Sequence, residues 1–120
     1  MRLKIADKQN RTAFIYKESS IMKITKKQEG TVLEIKLEGR LDTMTSPQFE
    51  AEVVKSISGV TELVLDFSGL EYLSSAGLRV LLGAQKTMNK QGKMVVKHIN
   101  DTIMEVFDIT GFSDILTIEK

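Results

Sequence analysis

The stretch LDFSGLEYLSSAGLRVLL, residues 65–82, decides the fold. It continues an apolar run over residues 62–67, whose nearly unbroken hydrophobicity is typical of a strand covered on both faces in a parallel sheet. Gly69 and its neighbours predict a loop. Ser74-Ser75-Ala76-Gly77 then leads into a long helix, and the buried side of that helix is predicted to be Leu78, Leu81, Leu82, Gln85 and Met88.

Upstream of this stretch the pattern predicts a hairpin and a helix. Residues 31–37 alternate apolar and charged side chains, and the glycine-containing connection 28–30 joins them to a strand over 23–27. Thr45 or Ser46 offers an N-cap, with Pro47 at the first helical position, where its missing N–H costs nothing. This helix ends at Gly59, and its predicted buried stripe is Phe49, Val53, Val54 and Ile57.

Downstream, the pattern predicts a strand over 93–99, a helix that buries Ile103, Val106 and Phe107 and ends at Gly111, and a final strand over 114–118. Asn100 or Asp101 caps that helix. The order is therefore β-β-α-β-α-β-α-β, and strand–helix–strand units imply parallel neighbours with right-handed crossovers. The fold class is α/β, with a mixed sheet and helices packed mainly on one face.

Residues 1–21 differ from the rest, because they are rich in basic residues and hold one short apolar cluster at 13–16. We interpret residues 1–21 as an N-terminal extension, either peripheral or disordered, and residues 22–120 as the domain. The competing interpretation is an over-long gene start with Met22 as the native initiator. The extension could also fold as an extra strand or helix against the body.

Composition excludes several classes of protein. A chain of 120 residues allows one domain, and a net charge of +1 argues against a nucleic-acid binder. The absence of cysteine excludes disulfides and thiolate nucleophiles, and a single histidine, His98, is read as an ordinary strand residue. No apolar run is long enough for a bilayer or a signal peptide, so we expect a cytoplasmic protein with no membrane partner. We find no catalytic triad, phosphate loop or metal-ligand spacing, and we predict no catalytic residue, no metal and no cofactor.

The pair Ser74-Ser75 is the candidate functional site that the sequence indicates. Serine is a preferred N-cap, and the first N–H groups of a helix have no intrahelical partner. Two serines are more than one cap needs, so a second hydroxyl would be exposed beside donors that suit a phosphate. Phosphorylation would add about −1.5 to −2 charges there at neutral pH.

These residues resemble a known family. Gly39-Arg40-Leu41-Asp42, then Thr45, then residues 65–82 are similar to the sulphate transporter and anti-sigma factor antagonist (STAS) domain, and above all to free-standing bacterial anti-sigma factor antagonists. The resemblance covers roughly residues 22–118. The strand–loop–serine–helix stretch is specific, whereas the G-x-L-D stretch is weak by itself.

The resemblance implies a small α/β domain that binds an anti-sigma factor, itself a serine kinase. The unphosphorylated antagonist captures the kinase and frees the sigma factor; phosphorylation of one serine releases the kinase, and a serine phosphatase resets the switch. Alignment on Gly77 places the acceptor at Ser75, with Ser74 as the fallback and Asp42 on the adjoining loop. The partner-binding residues expected from the resemblance and from the helix face are Asp42, Thr45, Ser74, Ser75, Ala76, Gly77, Leu78 and Arg79.

Two rival functions differ from this switch. One is a STAS sensory or scaffold domain that is not phosphorylated and binds a small ligand or nucleotide. The other is an enzyme, against which the missing catalytic motifs count. The sequence leaves the identity of the kinase, the regulated output and the oligomeric state open.

Overall fold

The computed structural model describes residues 4–5, 12–16 and 22–119, and for residues 4–5 and 12–16 the backbone alone. Its strands and helices follow one another along a single sheet. The strands are β1 (Lys4–Ile5), β2 (Thr12–Tyr16), β3 (Met22–Glu29), β4 (Val32–Leu41), β5 (Glu62–Leu73), β6 (Lys93–Lys97) and β7 (Ile118–Glu119), and the helices are α1 (Ser46–Ser56), α2 (Ser75–Gln91) and α3 (Asp101–Thr110). None of the helices in the described ranges is long and apolar enough to cross a membrane.

The sheet is mixed and its strands lie in chain order. Strands β1 to β4 pair antiparallel, and β4 to β7 pair parallel. The predicted order β-β-α-β-α-β-α-β is confirmed from β3 to β7. The backbone of 12–16 also pairs with β3, so part of the N-terminal extension continues the sheet. The division into an extension at 1–21 and a domain at 22–120 stays a prediction, and residues 1–3, 6–11, 17–21 and 120 lie outside the described residues.

One face of the sheet carries the core. Alternate side chains of β4 and β5 point into it and are almost completely buried, as are the inward residues of the three helices. The opposite face bears charged and half-buried residues such as Lys36 and Asp66. This is the arrangement expected for a sheet covered by helices on one side. The core includes Leu33, Ile35, Leu37, Leu63, Leu65, Phe67, Phe49, Leu81, Ile103 and Phe107.

Four local predictions were wrong. Gly69 lies within β5, which continues to Leu73, because β5 keeps pairing with β4 beyond two irregularities in register. His98 lies after β6, not in it, and has a left-handed φ of 61°. The predicted strand over 114–118 is a 3₁₀ turn (Phe112–Asp114) followed by the short β7. Val54 is 67% exposed, so Phe49 and Val53 are the fully buried members of the predicted α1 stripe.

The start of α2 is pressed against the ends of β4 and β5. A Cβ atom on Gly77 would lie 2.7 Å from Leu73 Cδ1 and 2.8 Å from Leu41 Cγ, closer than real Cβ contacts. Glycine at this position therefore lets the helix begin directly over the two strand ends without displacing the two leucine side chains.

We predict that Gly77→Ala lowers the free energy of unfolding by about 1–3 kcal/mol, because the new methyl group overpacks Leu41 and Leu73. Gly83→Ala on the same helix is the matched control, since a Cβ there meets no atom within 4 Å. It should raise the free energy of unfolding by about 0.5–1 kcal/mol through helix propensity. Urea denaturation measures both, and equal effects would contradict the packing argument.

A buried ion pair joins α1 to β3. Lys26 Nζ lies 2.8 Å from Glu52 Oε1 and donates a hydrogen bond of 2.9 Å to Ser56 Oγ. Both charged residues are buried, and Lys55 approaches the other Glu52 oxygen at 3.5 Å. Removing one member of such a pair leaves a charge without compensation in a poorly solvated place.

We predict that Glu52→Gln lowers the free energy of unfolding by about 3 kcal/mol, because it strips the buried ammonium of its carboxylate. The double variant Lys26→Met/Glu52→Leu should recover most of that loss, since it removes both charges and keeps similar volume. Glu38→Gln, which breaks the partly exposed pair with Lys23 (3.8 Å), is the control and should cost less than about 1 kcal/mol. Denaturant titration that finds Glu52→Gln no worse than Glu38→Gln would refute the claim.

Candidate functional site

The loop after β4 is folded around Asp42. Its Oδ1 accepts hydrogen bonds from the N–H groups of Met44 (3.0 Å) and Thr45 (3.1 Å), and its carbonyl oxygen accepts from the N–H of Ser46 (2.8 Å). A carboxylate that accepts from the backbone two and three residues on is an Asx turn, which aspartate favours at such positions. Asp42 therefore holds the loop in one conformation ahead of α1.

The Thr45 side chain also stabilises this loop through hydrogen bonds to its backbone. Its Oγ1 accepts from the N–H of Asp42 (2.9 Å) and donates to the carbonyl of Arg40 (2.8 Å). Thr45 occupies the N-cap position of α1, but no side-chain cap bond forms there, because the hydroxyl is used by the loop. The sequence offered Thr45 or Ser46 as the N-cap, and the structure places Thr45 there. The hydrogen-bond partners of the Thr45 hydroxyl were not foreseeable from cap preferences.

Arg40 adds a charged and aromatic contact beside the loop. Its Nε lies 3.4 Å from Asp42 Oδ2, and its guanidinium carbon lies 4.1 Å from the centre of the Tyr72 ring. Arg40 and Tyr72 are register partners on β4 and β5, which explains why they meet. Both residues lie within the stretches that resemble the family, but the sequence alone indicates no role for either of them. The contact between Arg40 and Tyr72 could be predicted only from the register of the two parallel strands, which the sequence does not give.

The pKa of Asp42 reflects these contacts. Partial burial raises it, but hydrogen bonds from the N–H groups of Thr45 and Met44, with the Arg40 side chain, outweigh burial and hold the pKa of Asp42 below its ordinary value of 3.8. The carboxylate is therefore ionised at neutral pH, and it gives the loop a fixed negative charge.

The two predicted serines have different environments. Ser74 is the N-cap of α2: its Oγ accepts from the N–H of Gly77 at 3.4 Å, and its own N–H donates to the carbonyl of Leu41 at 2.9 Å. Ser75 is the first residue of α2 and is exposed, and its hydroxyl makes no hydrogen bond with the described part of the chain. Because Ser74 is occupied as the cap, Ser75 is the freer hydroxyl.

The other predicted partner-binding residues lie at different depths. Arg79 is exposed and Ala76 is half-buried, whereas Gly77, Leu78 and Thr45 are buried. The buried three can shape this surface only through the residues that they support. Their roles as partner contacts, like those of Asp42, Ser74 and Ser75, stay predictions.

A shallow cavity opens between the starts of α1 and α2. Thr43, Pro47, Glu50, Ala76 and Arg79 are among its lining residues. Met44, which is 79% exposed on the adjoining loop, is a feature that the sequence analysis missed, since nothing in a hydropathy pattern marks a single exposed apolar side chain. Within the described ranges, no three histidine, aspartate or glutamate side chains come together as a metal site would require.

We predict that Asp42→Asn lowers the melting temperature at pH 7, because the amide keeps an acceptor oxygen but loses the charge that the loop N–H groups stabilise. The native pKa is lowered, so ionised Asp42 stabilises the fold above the unfolded value of 3.8, and this contribution is lost as the pH falls through the lower native pKa. The parent and the variant should therefore converge towards about pH 2–3.

Calorimetry across this pH range measures the convergence. The control is Asp108→Asn, which makes the same charge change at an exposed residue of α3 whose side chain has no hydrogen bond or ion pair in the described chain. A gap between parent and Asp42→Asn that stays constant down to pH 2 would contradict the assignment.

Comparison with known proteins gives a consistent result. Residues 23–120 match the model of the STAS domain. The chain is 32% identical over 90 residues to the anti-sigma-B factor antagonist of Listeria monocytogenes, an alignment that covers 73% of this chain and 79% of that protein. Among solved structures, an anti-sigma factor antagonist from Mycobacterium paratuberculosis superimposes with a TM-score of 0.75 at 20% identity, covering 82% of this chain and 85% of that one.

The antagonist SpoIIAA superimposes in two forms, both at 21% identity and both covering 81% of this chain. The TM-score is 0.71 for the unphosphorylated form, of which 88% is covered, and 0.65 for the phosphorylated form, of which 91% is covered. At these identities the structural neighbours establish the fold. With the family match over residues 23–120, they show that this chain belongs to the STAS domain family.

Proposed function

We propose that this protein is an anti-sigma factor antagonist whose binding is switched by phosphorylation of Ser75. Unphosphorylated, it binds an anti-sigma factor that is a serine kinase and so frees the sigma factor; phosphorylated, it releases the kinase. A serine phosphatase reverses the modification. The domain is a regulatory binding module with no catalysis of its own, and we place it in the cytoplasm with the ATP-using kinase. The names of its relatives support the antagonist role.

The observation that carries the proposal is that two adjacent serines have different environments. Ser74 caps α2, while Ser75 is exposed at the first helical position and has no described intramolecular partner. A kinase needs a hydroxyl that it can reach without unfolding the helix. Ser75 meets this requirement, and its modification leaves the cap intact.

The proposed transfer is chemically simple. The Ser75 oxygen attacks the γ-phosphorus of ATP, its proton passes to a base on the kinase, the bond to the β–γ bridging oxygen breaks, and ADP leaves. The domain itself contributes only the nucleophilic oxygen and the surface that positions it.

Electrostatics explains how the phosphate can end binding. The new group carries about −1.5 to −2 charges at neutral pH, on a surface that already holds the ionised Asp42. Docking against a partner would have to strip water from this phosphate, and like charge would oppose it. Either effect can cost several kcal/mol, which corresponds to a hundredfold or greater loss of affinity.

We predict that Ser75→Ala abolishes phosphorylation and retains the kinase, whereas Ser75→Glu weakens kinase binding by about tenfold or more. Ser74→Ala is the matched control: it should still be phosphorylated at position 75, with some loss of helix stability because the cap is removed. Ser75→Ala serves as bait to isolate the kinase, which is then purified. Mass spectrometry after incubation with this kinase and ATP locates the phosphate, and calorimetry gives the affinities.

Two outcomes would overturn the proposal. If Ser75→Glu binds the purified kinase as tightly as the parent, charge at position 75 is not the switch. If no kinase is retained and the unmodified protein binds a nucleotide or small ligand, the domain is a sensor that does not depend on phosphorylation.

A further inference from the structure

Two exposed side chains on the first turns of α2 lack described partners. They are Ser75 and Arg79, which are separated by four residues on one helix. Residues at this spacing lie one above the other on a helix surface, with Cβ atoms about 5–6 Å apart. An arginine therefore stands one turn from the oxygen that the proposed function modifies, and no described contact restrains its guanidinium.

We propose that Arg79 binds the phosphoryl group on Ser75 within the same helix and positions it. This inference rests on the proposed function for the presence of phosphate at Ser75. The guanidinium presents paired N–H donors in a plane, which match two phosphate oxygens, and such charge-assisted bonds are stronger than neutral ones. Dianionic phosphate gains more from this contact than the monoanion does.

Other cations are less suited to this role. Arg40 is already held between Asp42 and the Tyr72 ring. Lys86 on α2 is eleven residues from Ser75, or about 16 Å along the helix axis. Arg79 is the remaining cation within one turn of Ser75 on α2, whose sequence carries no carboxylate.

Negative groups on the neighbouring elements compete with the phosphate for Arg79. Glu50 of α1 lines the same cavity as Arg79, although no ion pair joins them. Asp42 follows the end of β4, and Glu71 lies near the end of β5. The phosphate has the advantage of a higher charge on the same helix. Glu50 is the competitor that a test has to include.

This contact would make the switch act at two residues. In the unphosphorylated protein Arg79 is exposed and would be available to a docking partner, a role that remains a prediction. In the phosphorylated protein the same guanidinium is engaged internally. One modification then adds negative charge at position 75 and withdraws a positive contact one turn away.

We predict that Arg79→Gln raises the midpoint of the phosphate titration, because the dianion loses its counter-ion. The protein is prepared with phosphoserine incorporated at position 75, which requires no kinase, and ³¹P NMR follows the second ionisation from pH 4 to 8. The midpoint should rise by about 0.2–0.4 pH units in Arg79→Gln. Arg79→Lys should lie between this variant and the parent, and Glu50→Gln should lower the midpoint.

Lys86→Gln is the matched control, since it removes one positive charge from an exposed position on the same helix. Its midpoint should stay within about 0.1 pH units of the parent, because the charge is distant and screened. If Arg79→Gln and Lys86→Gln give the same midpoint, Arg79 does not bind the phosphate. That result would leave the kinase-binding experiment on Ser75 untouched, so failure of this inference and failure of the proposed function are distinguishable.

Discussion

The parallel pairing of β4 with β5 determines where everything at the site lies. Because parallel strands end at the same edge of a sheet, the loop that follows Leu41 and the helix start that follows Leu73 emerge side by side. The last connection between them is the hydrogen bond from the Ser74 N–H to the Leu41 carbonyl, 2.9 Å long. Gly77 then lets α2 approach these strand ends closely. A helix start held this firmly presents its first side chains in a fixed place.

From this constraint follows the difference between the two serines. A helix N-terminus leaves N–H groups without partners, and one of them is satisfied by the Ser74 hydroxyl. The next side chain along the chain must then point away from the cap, and Ser75 is exposed. Ser74 stabilises the helix start, whereas the Ser75 hydroxyl is accessible for the phosphorylation that we propose. Because Ser75 makes no described intramolecular hydrogen bond, modifying it breaks no contact of the fold.

Much of this arrangement could be predicted from the sequence, because the relevant signals are local. Hydrophobic periodicity and turn residues gave the element order, and the pair Ser74-Ser75 before a helical stripe gave the helix start. The contacts that sequence reasoning missed join residues far apart in the chain. Arg40 meets Tyr72 through the β4–β5 register, and Lys26 of β3 meets Glu52 of α1. Gly69 was misread because continued strand pairing outweighed its local preference for a loop.

The exposed site and the buried ion pair show two uses of charge in one small domain. Lys26 and Glu52 are enclosed, so their charges must remain matched and a change in either one strains the fold. Ser75 and Arg79 are exposed and Asp42 is partly exposed, so water screens charge at this site more than at the buried pair, including the charge of the phosphate that we propose on Ser75. That screening disappears when a partner covers the surface. Under the proposed function, a phosphate on Ser75 would cost little in the free domain and much more in a complex, and this asymmetry would let the modification control binding while the fold stays the same.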